Sequence, residues 1–267
     1  VLGPIGESLD LDRRPGASCG HYDGCGGSRG LGLQVAEALG EAGATLMLTS
    51  RKATDLQQSA EALAAKGLRA DWIAADASEP AEIERLAQAT LDRMGSVDIL
   101  VNNAGATWAG PAEDYPLGSW DKVMNLNVRS VFLLSQYIAK HGMIPRGQGR
   151  ILMMGSITGF GGNLPGLEMV AYNTSKAALH NLTRTLACEW GEFGITVNAL
   201  APGFFLTKMA RVAVEMLGKE AVARVPLRRY GDDENLKGAA VLLASEAGKH
   251  ITGQILAIDG GMSCFVG

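Results

Sequence analysis

Cysteine is scarce in this sequence of 267 residues: there are four, Cys19, Cys25, Cys188 and Cys264. So few, so widely scattered, exclude a disulfide-stapled scaffold. There is no surplus of positive charge either, since 24 Lys and Arg face 28 Asp and Glu for a net charge of -4. Without a basic excess to neutralise phosphate backbones, nucleic acid is not an expected partner. No apolar run approaches the roughly 18 residues of a membrane span, so no membrane association is expected. The opening stretch Val1 to Ser18 carries acids and two prolines in place of the apolar core of a signal segment. A cytoplasmic protein is expected. Aromatic residues are also few, at 6%, but 47% apolar and 19% charged residues are ordinary proportions for a folded chain. That excludes disorder and leaves enough apolar material for one large α/β core.

What is abundant is glycine, 35 in all, and it punctuates an alternation of short apolar runs and helical periods. Leu31 to Ala42 has helical periodicity and stops at Gly43; Thr45 to Ser50 is a β-prone run; Ala53 to Lys66 is helical again, with Gly67 behind it. The pattern continues with a strand at Arg69 to Ala75, a helix at Glu79 to Met94 and a strand at Val97 to Asn102. Beyond it come a helix around Ser119 to Lys140, a strand at Arg150 to Gly155 and a long helix at Val170 to Phe193. Strands at Ile195 to Leu200 and Gln254 to Ile258 complete the series. Strands alternating with helices predict an α/β fold, a single Rossmann-like, doubly wound parallel sheet with helices on both faces and its ligand crevice at the carboxyl ends of the strands. No linker or repeat marks a second domain. Residues 1–16 read as a poorly ordered extension and 17–267 as one dinucleotide-binding and catalytic domain.

The first strand is the exception. A central parallel strand should be a Val/Ile/Leu run, yet the residues before the glycine-rich turn are Ala17-Ser-Cys-Gly-His-Tyr-Asp-Gly-Cys25. Reading these codons one base further on permits Ala-Ala-Val-Ile-Thr-Thr-Gly, which suits a buried strand, and resequencing the DNA tests that. Cys19, His21, Asp23 and Cys25 would share one face of a strand, and all four are metal-ligand types. Their spacing is tighter than the turn-borne spacing of structural sites, so no metal is expected.

Three short segments carry chemistry. Gly26-Gly-Ser-Arg-Gly-Leu-Gly32 opens a helix, where glycines let a backbone approach a phosphate and free amides receive it. Asn102-Asn-Ala-Gly105 follows a strand at its carboxyl end. Tyr172-Asn-Thr-Ser-Lys176 puts a phenol and an ammonium four residues apart on one helix face, where the charge favours the phenolate. Alone, each is a common local signal: a loop, a turn, a solvated helix face.

Together they resemble the short-chain dehydrogenase/reductase family, over about residues 26 to 261. In that family's Thr-Gly-x-x-x-Gly-x-Gly turn, Gly26, Gly30 and Gly32 match, with Cys25 where threonine is usual. The resemblance implies a cofactor site of Gly26, Ser28, Arg29, Gly30, Leu31, Gly32, Ser50, Arg51, Asp76, Ala77, Asn103, Ala104, Gly105, Tyr172, Lys176, Pro202, Gly203 and Thr207. It implies a catalytic set of Asn127, Ser156, Tyr172 and Lys176, in which Asn127, preferred to Asn125, holds a proton-relay water. Ser156 would orient the substrate oxygen, Tyr172 would transfer the proton, and Lys176 would lower the Tyr172 pKa and hold the ribose. NAD-binding relatives carry an acid at the end of the second strand. Here Ser50 and Arg51 stand there, and with Arg29 they suit a 2′-phosphate, so NADP(H) is favoured over NAD(H).

The substrate is expected to be a small carbonyl compound or alcohol. Phe160, Leu164, Leu167 and Met169, with Trp108 and Phe204, would form a partly apolar pocket under a helical lid at Lys208 to Lys219. The stretch Ala106-Thr-Trp-Ala-Gly110 is similar to 3-oxoacyl reductases and to gluconate 5-dehydrogenase-like members. The family implies a homotetramer or homodimer, and Ala178, Leu182, Leu186 and Trp190 at helical spacing fit either a core or such an interface. Two other classes stay open: a dinucleotide-binding regulator that has lost catalysis through its first strand, and a metal module on Cys19 to Cys25.

Overall fold

The computed structural model describes residues 17–19, 30–162, 167–205 and 222–264. Apolar runs become strands wherever both their faces can be buried. Successive residues of Ile151-Leu-Met-Met154 belong in turn to two core clusters on opposite faces: Ile151 and Met153 to one, Leu152 and Met154 to the other. Leu100 and Val101 divide in the same way, as period-two geometry requires of a strand covered on both sides. Each such side chain, fully buried, contributes about 1.5–3 kcal/mol.

The strands are β1 (Ala17–Cys19), β2 (Leu46–Ser50), β3 (Ala70–Ala74), β4 (Ile99–Asn102), β5 (Gly149–Met154), β6 (Ile195–Pro202) and β7 (Ile255–Ile258). All pairings are parallel, in the order β3-β2-β1-β4-β5-β6-β7. The order reverses between β1 and β4, and such a switch point opens a crevice beyond the strands' carboxyl ends. The helices are α1 (Gly30–Glu41), α2 (Ala53–Ala65), α3 (Pro80–Met94), α4 (Leu117–Met124), α5 (Ser130–Ile138), α6 (Val170–Trp190) and α7 (Lys237–Ala244). Side chains of α3, α5 and α6 fill one face of the sheet, those of α1, α2 and α7 the other. The expected doubly wound α/β fold is therefore present. Gly43 and Gly67 end their helices at φ of 100° and 80°, a conformation that glycine adopts without strain.

Three elements depart from expectation. The helix expected at Ser119 to Lys140 starts at Leu117 and is interrupted by two π segments, Asn125–Arg129 and Ala139–Met143. Helix α7 had no strong periodic signal because it is short and apolar on most sides; it packs against α1, beside a bond from Gln34 Nε2 to Asp233 Oδ1 of 2.8 Å. Lastly, β1 forms without a Val/Ile/Leu run. Ala17, Ser18 and Cys19 pair with Leu46, Met47 and Leu48 on one side and with Ile99, Leu100 and Val101 on the other, a ladder of backbone groups that asks little of the side chains. His21, Asp23 and Cys25 lie outside the described residues. Among those described, no group of three or more His, Cys, Asp or Glu could hold a metal, and no helix is long and apolar enough to cross a membrane.

The stripe on α6 faces inward: Leu186 is buried in the core, and Leu182 and Trp190 pack against it.

Candidate active site

Parallel strands end at one edge, so the residues that follow them converge there. Arg51 follows β2, Asp76 lies just past β3, Asn103, Ala104 and Gly105 follow β4, Gly155 and Ser156 follow β5, and Gly203 follows Pro202 at the end of β6. Into this edge α6 brings Tyr172, half-buried, and Lys176, which is 3% exposed. The Lys176 ammonium donates to the carbonyl of Met154, the last residue of β5, at 2.7 Å, and sits 5.6 Å from the centre of the Tyr172 ring. Burial pushes its pKa down to about 8, since leaving water disfavours the charged form.

Asn127 lies in the first π segment, fully buried. Its Nδ2 donates to the Ala106 carbonyl at 3.0 Å and to Ser175 Oγ at 2.8 Å, and its Oδ1 accepts from the Ala106 N–H at 2.7 Å. The side chain thus ties the loop after β4 to the helix of Tyr172, with one lone pair of Oδ1 left over. A Cβ built on Gly105 would lie 3.6 Å from that oxygen and 3.8 Å from Lys176 Nζ, so Gly105, Asn127 and Lys176 meet at one point. Asn125 instead offers its backbone carbonyl to Ser130 Oγ at 2.8 Å. Replacing Asn127 by Ala removes the bonds to the Ala106 N–H and carbonyl and one of the two bonds of Ser175 Oγ, which still donates to the Tyr172 carbonyl, and a loss of about 2–4 kcal/mol is expected, measured as a lower urea midpoint. An unchanged midpoint contradicts the network.

Ser156 caps a short 3-10 turn, Ile157–Gly159, and its Oγ accepts from the Thr158 N–H at 3.2 Å and from Thr158 Oγ1 at 3.0 Å. With both lone pairs engaged, its own hydroxyl hydrogen remains to donate. Asn103 is 1% exposed, yet among the described residues neither its Nδ2 nor its Oδ1 has a hydrogen-bond partner. Buried amides are rarely left so, and a polar ligand at this edge fits the pair. Asp76 Oδ1 accepts from Ser78 N–H and Oγ at 3.0 and 2.7 Å, while the Ala77 carbonyl accepts from Ser130 Oγ. Ser50 is buried and Arg51 exposed. Gly203 N–H donates to the Ile258 carbonyl at 3.0 Å. At the start of α1, Gly30 and Leu31 are half-buried and Gly32 is buried. Gly26, Ser28, Arg29 and Thr207 lie outside the described residues, as do Leu164 and the expected lid.

On the substrate side, Trp108 and Phe160 are 48% and 47% exposed. Gly110 N–H donates to the Glu168 carbonyl at 2.9 Å, clipping two loops together beside a cavity of ≈ 240 Å³ lined in part by Leu167, Met169 and Asn173. The rings of Phe204 and Tyr230 meet edge-on at 6.2 Å. Sequence reasoning missed Ser175 and Thr158, the partners of Asn127 and Ser156. Ser175 stood inside the Tyr172 to Lys176 segment, and Thr158 two residues past Ser156, the spacing of a side-chain turn.

A family model described as enoyl-(acyl carrier protein) reductase matches residues 24–263. The chain is 39% identical to a gluconate 5-dehydrogenase of Gluconobacter oxydans over 89% of its own length and 92% of that protein. It is 40% identical to a rhamnolipids biosynthesis 3-oxoacyl-[acyl-carrier-protein] reductase of Pseudomonas aeruginosa, over 88% and 93%. Among solved structures, a gluconate 5-dehydrogenase from Burkholderia cenocepacia in complex with NADP and tartrate superposes with a TM-score of 0.87 at 33% identity, covering 97% of this chain and all of that one (100%). These relatives define the chain as an oxidoreductase. The chain belongs to the short-chain dehydrogenase/reductase family.

Proposed function

We propose that the protein interconverts a ketone and a secondary alcohol with NADP(H), using Tyr172 as general acid and base. The observation that carries this is the buried Lys176, held by the Met154 carbonyl at 2.7 Å with its ammonium 5.6 Å from the Tyr172 ring. A positive charge so close and so poorly hydrated stabilises the phenolate and brings the Tyr172 pKa toward neutrality. Ser156 donates its hydroxyl hydrogen to the substrate oxygen. Tyr172 gives that oxygen its proton in reduction and recovers it in oxidation. Asn127 fixes the loop after β4 against α6, and its remaining lone pair holds a relay water. When bound, the nicotinamide supplies or accepts the hydride.

The residues that would hold the cofactor are those of the α1 turn, Ser50, Arg51, Asp76, Ala77, Asn103 to Gly105, Lys176, Pro202, Gly203 and Thr207. Residues 17–267 would form one dinucleotide-binding and catalytic domain. A guanidinium in place of an acid after β2 supports NADP(H), as do relatives solved with NADP. Arg51→Asp is expected to raise the KM for NADPH roughly tenfold to a hundredfold, the worth of a charge-assisted bond, with little change for NADH. Equal effects on the two cofactors would contradict the assignment.

For the substrate, a 3-oxoacyl compound fits better than a sugar acid. Among the described residues, the loops flanking Ser156 and Tyr172 (106–110, 157–162, 167–169 and 203–205) carry Trp108, Phe160, Leu167, Met169 and Phe204, and Glu168 as their one charge. No cation there meets a carboxylate. The gluconate 5-dehydrogenase relatives support the sugar-acid reading. Comparing kcat/KM for a 3-oxoacyl thioester and a keto sugar acid decides, with at least a tenfold preference for the thioester expected, about 1.4 kcal/mol. The protein would assemble as a homotetramer or homodimer through α4, α5 and α6, which light scattering checks.

A further inference from the structure

His180 has no part in the mechanism above, yet it stands behind it. It lies one turn past Lys176 and two past Tyr172 on the same face of α6, and is 2% exposed. Its ring occupies the space that side chains on two glycines would need: a Cβ on Gly155 would fall 2.7 Å from Nε2, and one on Gly159 2.6 Å from Cε1. Those glycines bracket the turn that carries Ser156. Within the turn, Gly159 N–H donates to the Ser156 carbonyl at 3.0 Å, and Thr158 donates twice to Ser156 Oγ. Among the described residues Nε2 has no hydrogen-bond partner, and the Phe160 ring lies 4.8 Å from the imidazole, tilted by 47°. An aliphatic residue would fill the volume. The flat imidazole lies between the two glycines and meets an aromatic ring at its far end.

Burial, with Lys176 and Arg184 nearby, holds the imidazole pKa down at about 4. The ring is therefore neutral under working conditions and sets no second charge against the ammonium.

We propose that His180 is a positioning residue for Ser156: its ring sets the spacing between α6, which carries Tyr172 and Lys176, and the Ser156 to Gly159 turn, and it props Phe160 at the substrate rim. Gly155 and Gly159 leave the room this ring occupies, although backbone also crowds a side chain there: a Cβ on Gly159 would fall 2.8 Å from the Lys176 carbonyl carbon and one on Gly155 3.1 Å from the Leu200 carbonyl oxygen. The inference rests on the reading of Ser156 and Tyr172 as the catalytic pair. Displacing one partner of a reacting pair by an ångström costs up to a hundredfold in rate.

His180→Ala is expected to lower kcat at least tenfold while NADPH affinity, read by fluorescence titration, stays within about twofold. Free imidazole, seated in the space left, is expected to recover part of the rate. Should His180→Ala fail to fold, His180→Asn, which keeps an N–H but not the ring, takes its place with the same expected split. An unchanged kcat overturns the proposal, and so does a fall in cofactor affinity parallel to that in kcat. Tyr172→Phe, assayed alongside, separates the two failures: if it stays active, the catalytic pair is wrong, and if it alone is inactive, only the role of His180 is.

Discussion

Tyr172→Phe is expected to lower kcat for ketone reduction about a thousandfold, the middle of the range for a positioned general acid. The substitution keeps the ring that packs beside Lys176 and removes only the hydroxyl, so folding and NADPH affinity are expected to hold. The half-buried position of Tyr172 on α6 allows its hydroxyl to reach both a substrate and bulk protons. Activity near that of the parent would mean that another group gives the proton.

Lys176→Met is expected to cost kcat about as much, with a change that Tyr172→Phe cannot produce. Without the ammonium, the tyrosine pKa returns toward its ordinary value of about 10. Alcohol oxidation, which needs the phenolate, then loses most activity near neutrality, and its pH optimum moves up. Stability carries a second signature. The folded-state pKa of Lys176, about 8, lies below its ordinary 10.5 because burial penalises the charge. Between those values the unfolded chain binds more protons than the folded one, so stability rises as pH increases, by about 3 kcal/mol over the window. Below about pH 8 both states are charged, and the burial cost is carried in full. In Lys176→Met that rise is expected to vanish. A denaturation series from neutral pH to pH 10 measures it, and an identical slope in parent and variant would show that the ammonium is not desolvated.

Much of this was legible in the chain. The strands announced themselves as apolar runs, because parallel strands with helices on both faces admit little else, and β5 and β6 lie within two residues of their expected ends. The Tyr172 and Lys176 pair was legible because helical spacing is a local rule. What was hidden depends on partners far away in sequence. The π segment at Asn125–Arg129 is tied into place by bonds from Asn127 to Ala106 and Ser175, and no periodicity reports a bond to residue 175. His180 read as one more residue of a long helix; its meaning comes from two glycines on another element. β1 was left open for the opposite reason. Side-chain composition argued against a strand at Ala17–Cys19, whereas the ladder is made by backbone groups between two neighbours already in place.

Hydride exchange at this edge of the sheet is what separates an enzyme from a dinucleotide-binding regulator. The direct measurement is a single-turnover mixture of the protein in excess with NADPH and a 3-oxoacyl thioester, or a keto sugar acid in parallel, followed by NADPH absorbance. The predicted result is full oxidation of the NADPH by the parent, abolished on the same timescale in Tyr172→Phe. NADPH that binds, as shown by its fluorescence, but is never consumed with either substrate would contradict it.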